Sequence, residues 1–367
     1  MQYNRTQVEG FLVRVIGVDP GTKSFDVIGL EDGKIKLDLT FPSEVVAEEP
    51  GRIVRAIEEF DADLIIGPSG YGLPLKHISE LTDRDRFEMT LVREEEMKEI
   101  PVLLGLQEMV GQMAEKGLNV WFIPGVIHLP TVPEWRKYNR VDMGTADKMA
   151  ITVLGIYDQA KRLGIEYSEV SFVLLEVGFG YNYAGAVKGG KIVDGIGGTI
   201  FPGPAYVNSG ALDSEVAYLM GRIKKQHLFW GGATVIAANE ILPPEEFTKR
   251  LDEEPFSRAW EAMKDGFIKA VAGELAVVGN AQEIILSGRL MRMDELRKDV
   301  EDTFEELFDL PVVRLRGLEG KAKEAAQGSA IISDGLAGGM FKELVEHVEI
   351  KKSRGSVLDY VKLPLNI

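Results

Sequence analysis

The stretch Val18-Asp19-Pro20-Gly21-Thr22, followed by Asp32-Gly33-Lys34-Ile35, decides the fold because the chain repeats it. The second copy runs Leu175-Glu176-Val177-Gly178-Phe179 and then Gly189-Gly190-Lys191-Ile192. One offset of 157 residues takes Asp19 onto Glu176 and Gly33 onto Gly190 without a gap. Each copy predicts an apolar strand that ends in an acid, a turn with glycine, a second strand and a tight turn. A chain that builds this hairpin twice is expected to hold a polyanion between the copies.

The composition excludes several classes of protein. At 367 residues the chain exceeds the usual size of one core, so two domains are expected. Its 42 basic and 58 acidic residues give a net charge of −16, which argues against nucleic acid or an anionic membrane as a partner. No apolar run is long enough to span a bilayer and no signal peptide is visible, so we expect a cytoplasmic protein. The absence of cysteine excludes disulfides and thiolate metal sites, and with the many charged residues it is typical of thermophiles.

The order of strands and helices predicts an α/β fold. The predicted strands are Phe11–Asp19, Ser24–Leu30, Lys34–Phe41, Asp63–Gly67 and Asn119–Ile123, then Ser171–Gly178, Tyr181–Val187, Lys191–Asp194, Glu283–Leu286 and Val312–Leu315. The predicted helices are Arg52–Phe60, Val102–Lys116, Gly144–Gly164, Asp213–Arg222, Pro255–Gly279, Asp294–Phe308 and Lys321–Ala337. The second half repeats the order of the first with insertions, so we predict domains over residues 1–143 and 144–340 and leave the tail 341–367 unassigned.

Both hairpins have the residue types of a phosphate site. Glycine in the turn after the first strand lets the backbone approach a ligand closely, and its N–H groups can face phosphate oxygens. An acid at the strand end suits a divalent cation. The alternative is a pair of purely structural hairpins. The gapless repeat favours the phosphate interpretation, in which the copies grip a nucleotide and its Mg²⁺.

Three motifs resemble those of the actin-like ATPase superfamily, which includes acetate and sugar kinases, actin and heat-shock chaperones. Asp19-x-Gly21-Thr22 resembles its first phosphate motif, and Glu176-x-Gly178-x-Gly180-Tyr181-Asn182 resembles its second. Ile284-Ile285-Leu286-Ser287-Gly288-Arg289 is similar to its adenosine motif. Over its whole length the chain resembles a mainly archaeal family of predicted butyrate kinases. The resemblance implies two tandem ribonuclease-H-like domains with ATP and Mg²⁺ in the cleft between them.

The resemblance also implies roles for individual residues. Asp19, Asp147 and Glu176 are predicted to be catalytic, and Asp19 and Glu176 also to bind the metal. The predicted nucleotide contacts are Gly21, Thr22, Lys23, Gly178, Gly180, Tyr181, Asn182, Ser287, Gly288 and Arg289. Glu176 stands where the superfamily has Asp or His. Phe179 stands in place of a glycine, and its ring is expected to crowd the β- and γ-phosphates.

A small-molecule acceptor is expected beside the nucleotide. Its predicted contacts are Ser69, Gly70, Gly198, Pro202, Asn208 and Ser209. The carboxylate kinases carry arginines in the loop of Ser69 and at the position of Asn208, and this chain lacks both. The sequence of the Gly197–Pro204 loop is instead similar to a motif of type III pantothenate kinases.

Asp147 lies in Gly144-Thr145-Ala146-Asp147-Lys148, which is similar to the start of the helix that carries the base in type III pantothenate kinases. A helix N-terminus would keep Asp147 ionised and able to accept a proton from an acceptor hydroxyl. The alternative, that it only caps the helix, is equally favoured. Lys148 is expected to be solvated, with contact to phosphate or to an acceptor carboxylate as the alternative. Arg84 and Arg86 are also expected to be solvated.

Three functions remain open. The first is a kinase that acts on a small metabolite bearing a carboxylate or hydroxyl. The second is an ATP-dependent switch that acts on a partner protein, and the third is a degenerate member that binds a ligand without turnover. A homodimer is a further partner that the sequence leaves open.

Overall fold

The computed structural model describes residues 12–365, which form two sheets and their covering helices. The strands are β1 (Arg14–Pro20), β2 (Ser24–Glu31), β3 (Lys34–Pro42), β4 (Leu64–Ile66), β5 (Lys76–His77), β6 (Val120–Phe122), β7 (Ser171–Val177), β8 (Asn182–Lys188), β9 (Lys191–Ile196), β10 (Glu283–Ser287) and β11 (Val312–Arg314). The helices are α1 (Ser43–Glu48), α2 (Pro50–Glu59), α3 (Asp83–Thr90), α4 (Glu94–Met97), α5 (Pro101–Glu115), α6 (Glu134–Lys137), α7 (Ala146–Leu163), α8 (Ser214–Met220), α9 (Ala233–Ala238), α10 (Pro244–Thr248), α11 (Glu254–Val278), α12 (Asp294–Phe308), α13 (Glu324–Leu336) and α14 (Lys342–Val348).

The two sheets share one topology. The first has the strand order β3-β2-β1-β4-β6-β5, and the second has β9-β8-β7-β10-β11. In the first, β1, β2 and β3 form an antiparallel meander, while β4 and β6 add in parallel. The second repeats this pattern with β7, β8 and β9 as the meander and β10 and β11 in parallel. Apart from the short strand β5, this is the tandem architecture that the sequence predicts.

The internal repeat extends to the register of the strands. Strands β1 and β7 begin and end at positions 157 residues apart. The β2–β3 ladder shifts register between Gly29 and Leu30, and the β8–β9 ladder shifts between the equivalent pair, Ala186 and Val187. In the tight turns, Gly33 and Gly190 have φ angles of 71° and 66°. These left-handed positions need glycine, which explains why the repeat retains it.

Helices α7 and α13 pack together between the two sheets. Helix α13 lies on β1 and β4 of the first sheet, and α7 contacts β7 and β8 of the second. A Cβ atom on Gly17 of β1 would lie 2.0 Å from the nitrogen of Ala330, and one on Gly328 would lie 2.0 Å from the oxygen of Ala150. The small residues of α13 therefore allow close packing. This helix joins the predicted second domain to the first sheet, and the predicted domain boundaries stay predictions.

The differences from the predicted elements are local. Helix α7 begins at Ala146 and not at Gly144, and α13 begins at Glu324 and not at Lys321. The start of the first predicted strand, at Phe11, lies outside the described residues. The sequence did not predict the short elements α1, α3, α4, α6, α9, α10, α14 and β5, because they span too few residues for a periodic pattern. Among residues 12–365, no helix is both long and apolar enough to cross a membrane.

Candidate active site

A cleft of about 910 Å³ opens between the two sheets, where strands β1 and β7 end. This volume lies near the upper end of the range for small-molecule pockets, about 300–1,000 Å³, so the cleft has room for two ligands. The predicted residues that line it are Asp19, Gly21, Thr22, Lys23, Ser69, Gly70, Asp147, Glu176, Gly178, Gly180, Tyr181, Gly288 and Arg289. The fold thus brings both hairpin turns and the start of α7 to one place.

The two hairpin turns face each other across the cleft. A Cβ atom on Gly180 would lie 2.8 Å from Oγ1 of Thr22, so the turns approach as closely as glycine allows. Nζ of Lys23 lies 4.2 Å from the centre of the Phe179 ring, a cation–π contact. That ring is only 8% exposed and packs on Tyr206 at 5.3 Å between ring centres. Most of Phe179 is therefore buried in the core of the second sheet, but the residue also lines the cleft. The expectation that it crowds the phosphates stays a prediction.

Lys148 joins two of the predicted catalytic acids. Its Nζ lies 2.9 Å from Oδ2 of Asp147 and 2.8 Å from Oε2 of Glu176, and its side chain is 15% exposed. The expectation of a solvated surface lysine was therefore wrong. The first turn of α7 meets the end of β7, and that crossing directs Lys148 into the cleft.

The surroundings shift the pKa values of these acids in opposite directions. Burial raises the pKa of Glu176, and the Lys148 ammonium offsets only part of this. Burial also opposes the charge of Asp147, but the Lys148 ammonium and a hydrogen bond from the Thr145 hydroxyl outweigh it and lower its pKa. Asp147 is therefore ionised at neutral pH, as a general base has to be.

Lys323 forms a second cluster around Asp19. Its Nζ lies 3.3 Å from Oδ2 of Asp19, 3.3 Å from Oδ2 of Asp26 and 3.4 Å from the carbonyl oxygen of Ser24. A Cβ atom on Gly21 would lie 2.1 Å from this ammonium, so glycine leaves the space that Lys323 fills. Burial raises the pKa of Asp19, and Lys323 counteracts this. The sequence gives no signal for Lys323, which precedes α13 and lies 304 residues from Asp19.

Two other cations at this end of the cleft have no carboxylate partner. Within residues 12–365, neither Lys23 nor Arg289 lies within 4.0 Å of a carboxylate. Arg289 donates a hydrogen bond of 3.3 Å to the hydroxyl of Ser24. Both side chains line the cleft, where they are free to bind an anion such as phosphate.

Asp19 and Glu176 have the oxygen donors that Mg²⁺ prefers. Each is paired with an ammonium group, and no cluster of three or more potential metal ligands occurs among residues 12–365. Protein-bound Mg²⁺ commonly takes one or two carboxylates, with phosphate oxygens and waters as its other ligands. The donors therefore fit a metal ion that arrives with a nucleotide, and the assignment of Asp19 and Glu176 as its protein ligands stays a prediction.

Six predicted site residues lie outside the lining of this cleft. They are Asn182, Ser287, Gly198, Pro202, Asn208 and Ser209. The amide of Asn182 donates to the oxygen of Pro204 at 3.3 Å, and the side chain of Asn208 accepts a bond of 2.7 Å from the nitrogen of Gly210. These contacts stabilise loops. Pro202 lines a separate depression of the second domain.

The loop of Ser69 and Gly70 holds the start of α7 in place. The oxygen of Gly70 accepts a hydrogen bond of 3.0 Å from the nitrogen of Ala146, and Oγ of Ser69 accepts one of 3.0 Å from the nitrogen of Ile123. Asp147 and Lys148 are the next two residues of α7 after Ala146. This loop therefore holds the start of the helix that carries Asp147 and Lys148 into the cleft.

An insertion of the second domain, residues 213–231, crosses to the first domain, and we call it the strap. It contains α8 and forms ion pairs of 3.0 Å from Arg222 to Glu95 and from Lys224 to Glu99. The nitrogen of Lys225 donates to Oε2 of Glu96 at 2.8 Å. The strap thus binds α4 and closes one side of the cleft.

The chain belongs to the family described as Protein of unknown function (DUF1464), which matches residues 17–363. No curated protein sequence matches it. Its fold is similar to that of a propionate kinase from Francisella tularensis, with a TM-score of 0.60 at 12% identity over 87% of this chain and 98% of that one. Acetate kinases from Porphyromonas gingivalis and Entamoeba histolytica give TM-scores of 0.58 and 0.57. They are 13% and 11% identical, and they cover 87% and 80% of this chain and 98% and 87% of their own. The predicted actin-like ATPase fold is confirmed, and the predicted likeness to butyrate kinases stays a prediction.

Proposed function

We propose that this member of the DUF1464 family is an ATP-dependent phosphotransferase that acts on a small metabolite bearing a carboxylate or hydroxyl. The observation that carries the proposal is the pairing of the two hairpins. Equivalent strands end in Asp19 and Glu176 at opposite walls of one cleft, and each is followed by a glycine turn. Two anion-binding turns that face each other suit a chain of phosphates.

The described residues provide the parts that phosphoryl transfer requires. Lys23, Arg289 and the N–H groups of the turns would bind the phosphates, and Asp19 and Glu176 would hold Mg²⁺. Asp147 would orient the acceptor oxygen or accept its proton. The ammonium groups of Lys148 and Lys323 would offset negative charge that develops on the transferred group. Catalysis of this kind depends mainly on positioning and electrostatic stabilisation in a closed site.

The test is ATP consumption by the purified protein with Mg²⁺, first alone and then with a pool of short carboxylic acids and alcohols. We expect turnover that the acceptor pool stimulates. The Asp19→Ala variant is expected to lose it, whereas Asp252→Ala, at an exposed position outside the cleft, is the matched control and keeps it. If ATP neither raises the Tm of the protein nor is consumed, the proposal is wrong.

One observation favours an ATP-driven switch as a second candidate. Helix α8 of the strap has no buried residue, and its Tyr218 and Leu219 are each 80% exposed. Because the strap bridges the two domains, opening of the cleft would move this apolar surface. ATP turnover that no acceptor stimulates would support the switch over the kinase.

A further inference from the structure

Lys225 of the strap is a cation in the cleft wall that has no carboxylate partner among the described residues. It lines the cleft, yet no carboxylate lies within 4.0 Å of its Nζ among residues 12–365. Among the described residues, the one hydrogen-bond contact of this Nζ is with the hydroxyl of Tyr71, at 3.2 Å, and Nζ lies 4.8 Å from the centre of that ring. Lys148 and Lys323, in contrast, each bind two carboxylates.

A charge that is partly removed from water, as the half-buried Lys225 is, destabilises the fold unless something pairs with it. Burial lowers the pKa of Lys225 to about 8, so the ammonium form still predominates at neutral pH. Two buried acids, Glu96 and Asp142, lie near enough to favour its charge. Oε2 of Glu96 accepts a hydrogen bond from the backbone nitrogen of Lys225, and Asp142 is engaged elsewhere. The Oδ2 atom of Asp142 accepts bonds of 3.0 Å and 3.1 Å from the nitrogen and hydroxyl of Thr199, and its Oδ1 accepts one from Gly144. The position therefore suits an anion that comes from outside the protein.

The wall beside Lys225 is mainly apolar, although Arg86, Thr90 and Gln107 also line this part of the cleft. Leu103, Leu106 and Val110 lie on one face of α5 and line the cleft, with Met89 from α3 next to Tyr71. The nitrogen of Tyr71 donates to the oxygen of Met89 at 2.9 Å, which joins the anion position to this wall. From Leu103 to Val110 the helix rises about 10 Å. Such a wall is longer than a two- to four-carbon chain needs.

We infer that the acceptor is a carboxylic acid whose carboxylate binds Lys225 and Tyr71 and whose apolar chain, longer than that of butyrate, lies along α5. One ammonium and one phenol match the single charge of a carboxylate better than the double charge of a phosphate monoester. Lys225 thereby replaces, from a different element, the arginines that the carboxylate kinases carry at the positions of this chain's Ser69 loop and Asn208. The inference rests on the proposed function only in calling this ligand the acceptor.

The test is calorimetric titration of the protein with butyrate, hexanoate and octanoate without ATP. Because each buried methylene contributes about 0.8 kcal/mol, affinity is expected to rise about three- to fourfold per methylene. Octanol, which lacks the charge, is expected to bind at least tenfold more weakly than octanoate. If octanoate binds no better than butyrate, the inference is wrong.

Two pairs of variants locate the site. Lys225→Met is expected to weaken octanoate binding at least tenfold while raising the Tm, since it removes an unpaired, half-buried charge. Lys224→Met is the matched control, because Lys224 pairs with Glu99 at the surface, and we expect less than a twofold effect. If both variants lose octanoate affinity equally, the loss comes from a disturbed strap and not from the Lys225 ammonium, and the inference is wrong. Leu106→Trp is expected to shift the preference to shorter acids, whereas Leu104→Trp, at a residue that is 40% exposed, is not.

Titration with ATP separates the two proposals. If ATP binds and no acid binds, this inference fails while the phosphotransferase proposal stands. If octanoate binds and ATP does not, the acid site stands and the phosphotransferase proposal fails.

Discussion

Replacement of Lys148 by methionine removes the ammonium that Asp147 and Glu176 share. Both oxygens lie within 2.9 Å of Nζ, and Glu176 is buried, so the variant leaves carboxylate charge in the cleft wall without a partner. Loss of one member of a buried ion pair costs about 3–5 kcal/mol. At about 2–4 °C per kcal/mol, we expect a fall of roughly 6–20 °C in Tm at pH 8.

The loss of stability in the Lys148→Met variant should grow as the pH rises. Burial and the charges of Asp147 and Asp19 already raise the pKa of Glu176 above its ordinary value of 4.5, and without Lys148 nothing offsets them. When folding raises the pKa of a carboxyl group, that group stabilises the folded state at pH values below its ordinary pKa. This stabilisation is lost as the pH rises through the raised pKa. The difference in Tm between wild type and variant should therefore be smallest near pH 4.5 and largest at pH 8.

Glu176→Gln in the Lys148→Met background provides the rescue. It removes the charge that the variant leaves unpaired, so part of the lost stability should return, with a coupling of about 0.5–3 kcal/mol in a double-mutant cycle. The matched control is Lys269→Met. Lys269 also pairs with an acid, Asp265, but its side chain is 58% exposed, and such pairs contribute about 0.3–0.5 kcal/mol. Unfolding is followed by circular dichroism between pH 4.5 and pH 8.

Two results would refute the reasoning about Lys148. One is a Lys148→Met variant no less stable than Lys269→Met at pH 8. The other is a loss of stability that neither low pH nor Glu176→Gln reduces, since it would come from lost packing and not from unpaired charge.

Three further perturbations test other parts of the structure. Asp19→Ala should lower ATP turnover by at least about 100-fold, because oriented charges contribute on this scale; an unchanged rate would make the first hairpin purely structural. Gly17→Ala should destabilise the fold by about 1–3 kcal/mol, because its Cβ would meet the backbone of α13 at 2.0 Å. The control is Gly273→Ala in α11, where a Cβ atom would meet open space, and it should stabilise the fold by up to about 1 kcal/mol. Equal Tm shifts in the two variants would contradict the close packing of β1 on α13. Glu96→Gln should weaken the hold of α4 on Lys225 and speed hydrogen exchange in the strap, and unchanged exchange would show that this bond does not hold it.

The repeat in the sequence predicted the two hairpins, and the motifs in them carried the resemblance that implied the fold. An offset of 157 residues links the ends of β1 and β7, the register shifts and the glycines of the tight turns. All of these features depend on strand periodicity and on turn residues with positive φ, which are local properties of the chain. The hairpin repeat predicted that Asp19 and Glu176 lie at one site, and the resemblance of Gly144–Lys148 to the pantothenate kinases implied a place there for Asp147.

The partners of those acids could not be predicted. Lys148 was expected to be solvated, because its position at the start of a helix gives no sign that β7 ends beside it. Arg86 was also expected to be solvated, yet it lines the cleft, whereas Arg84, 71% exposed and paired with Glu88, largely meets the expectation. Lys225 lies in the strap, an insertion that has no counterpart in the first half of the chain, so the repeat could not predict its position.

The sequence by itself determined the two hairpins, the order of strands and helices around them, and the acids at the strand ends. Only the tertiary structure decided which cation faces which acid. Lys323 reaches Asp19 because α13 packs on β1, and Lys225 faces Tyr71 because the strap crosses to α4. The physical reason is that secondary structure follows from neighbours along the chain, whereas ion pairing depends on distances of about 3 Å between segments far apart in sequence, and the packing of whole elements sets those distances.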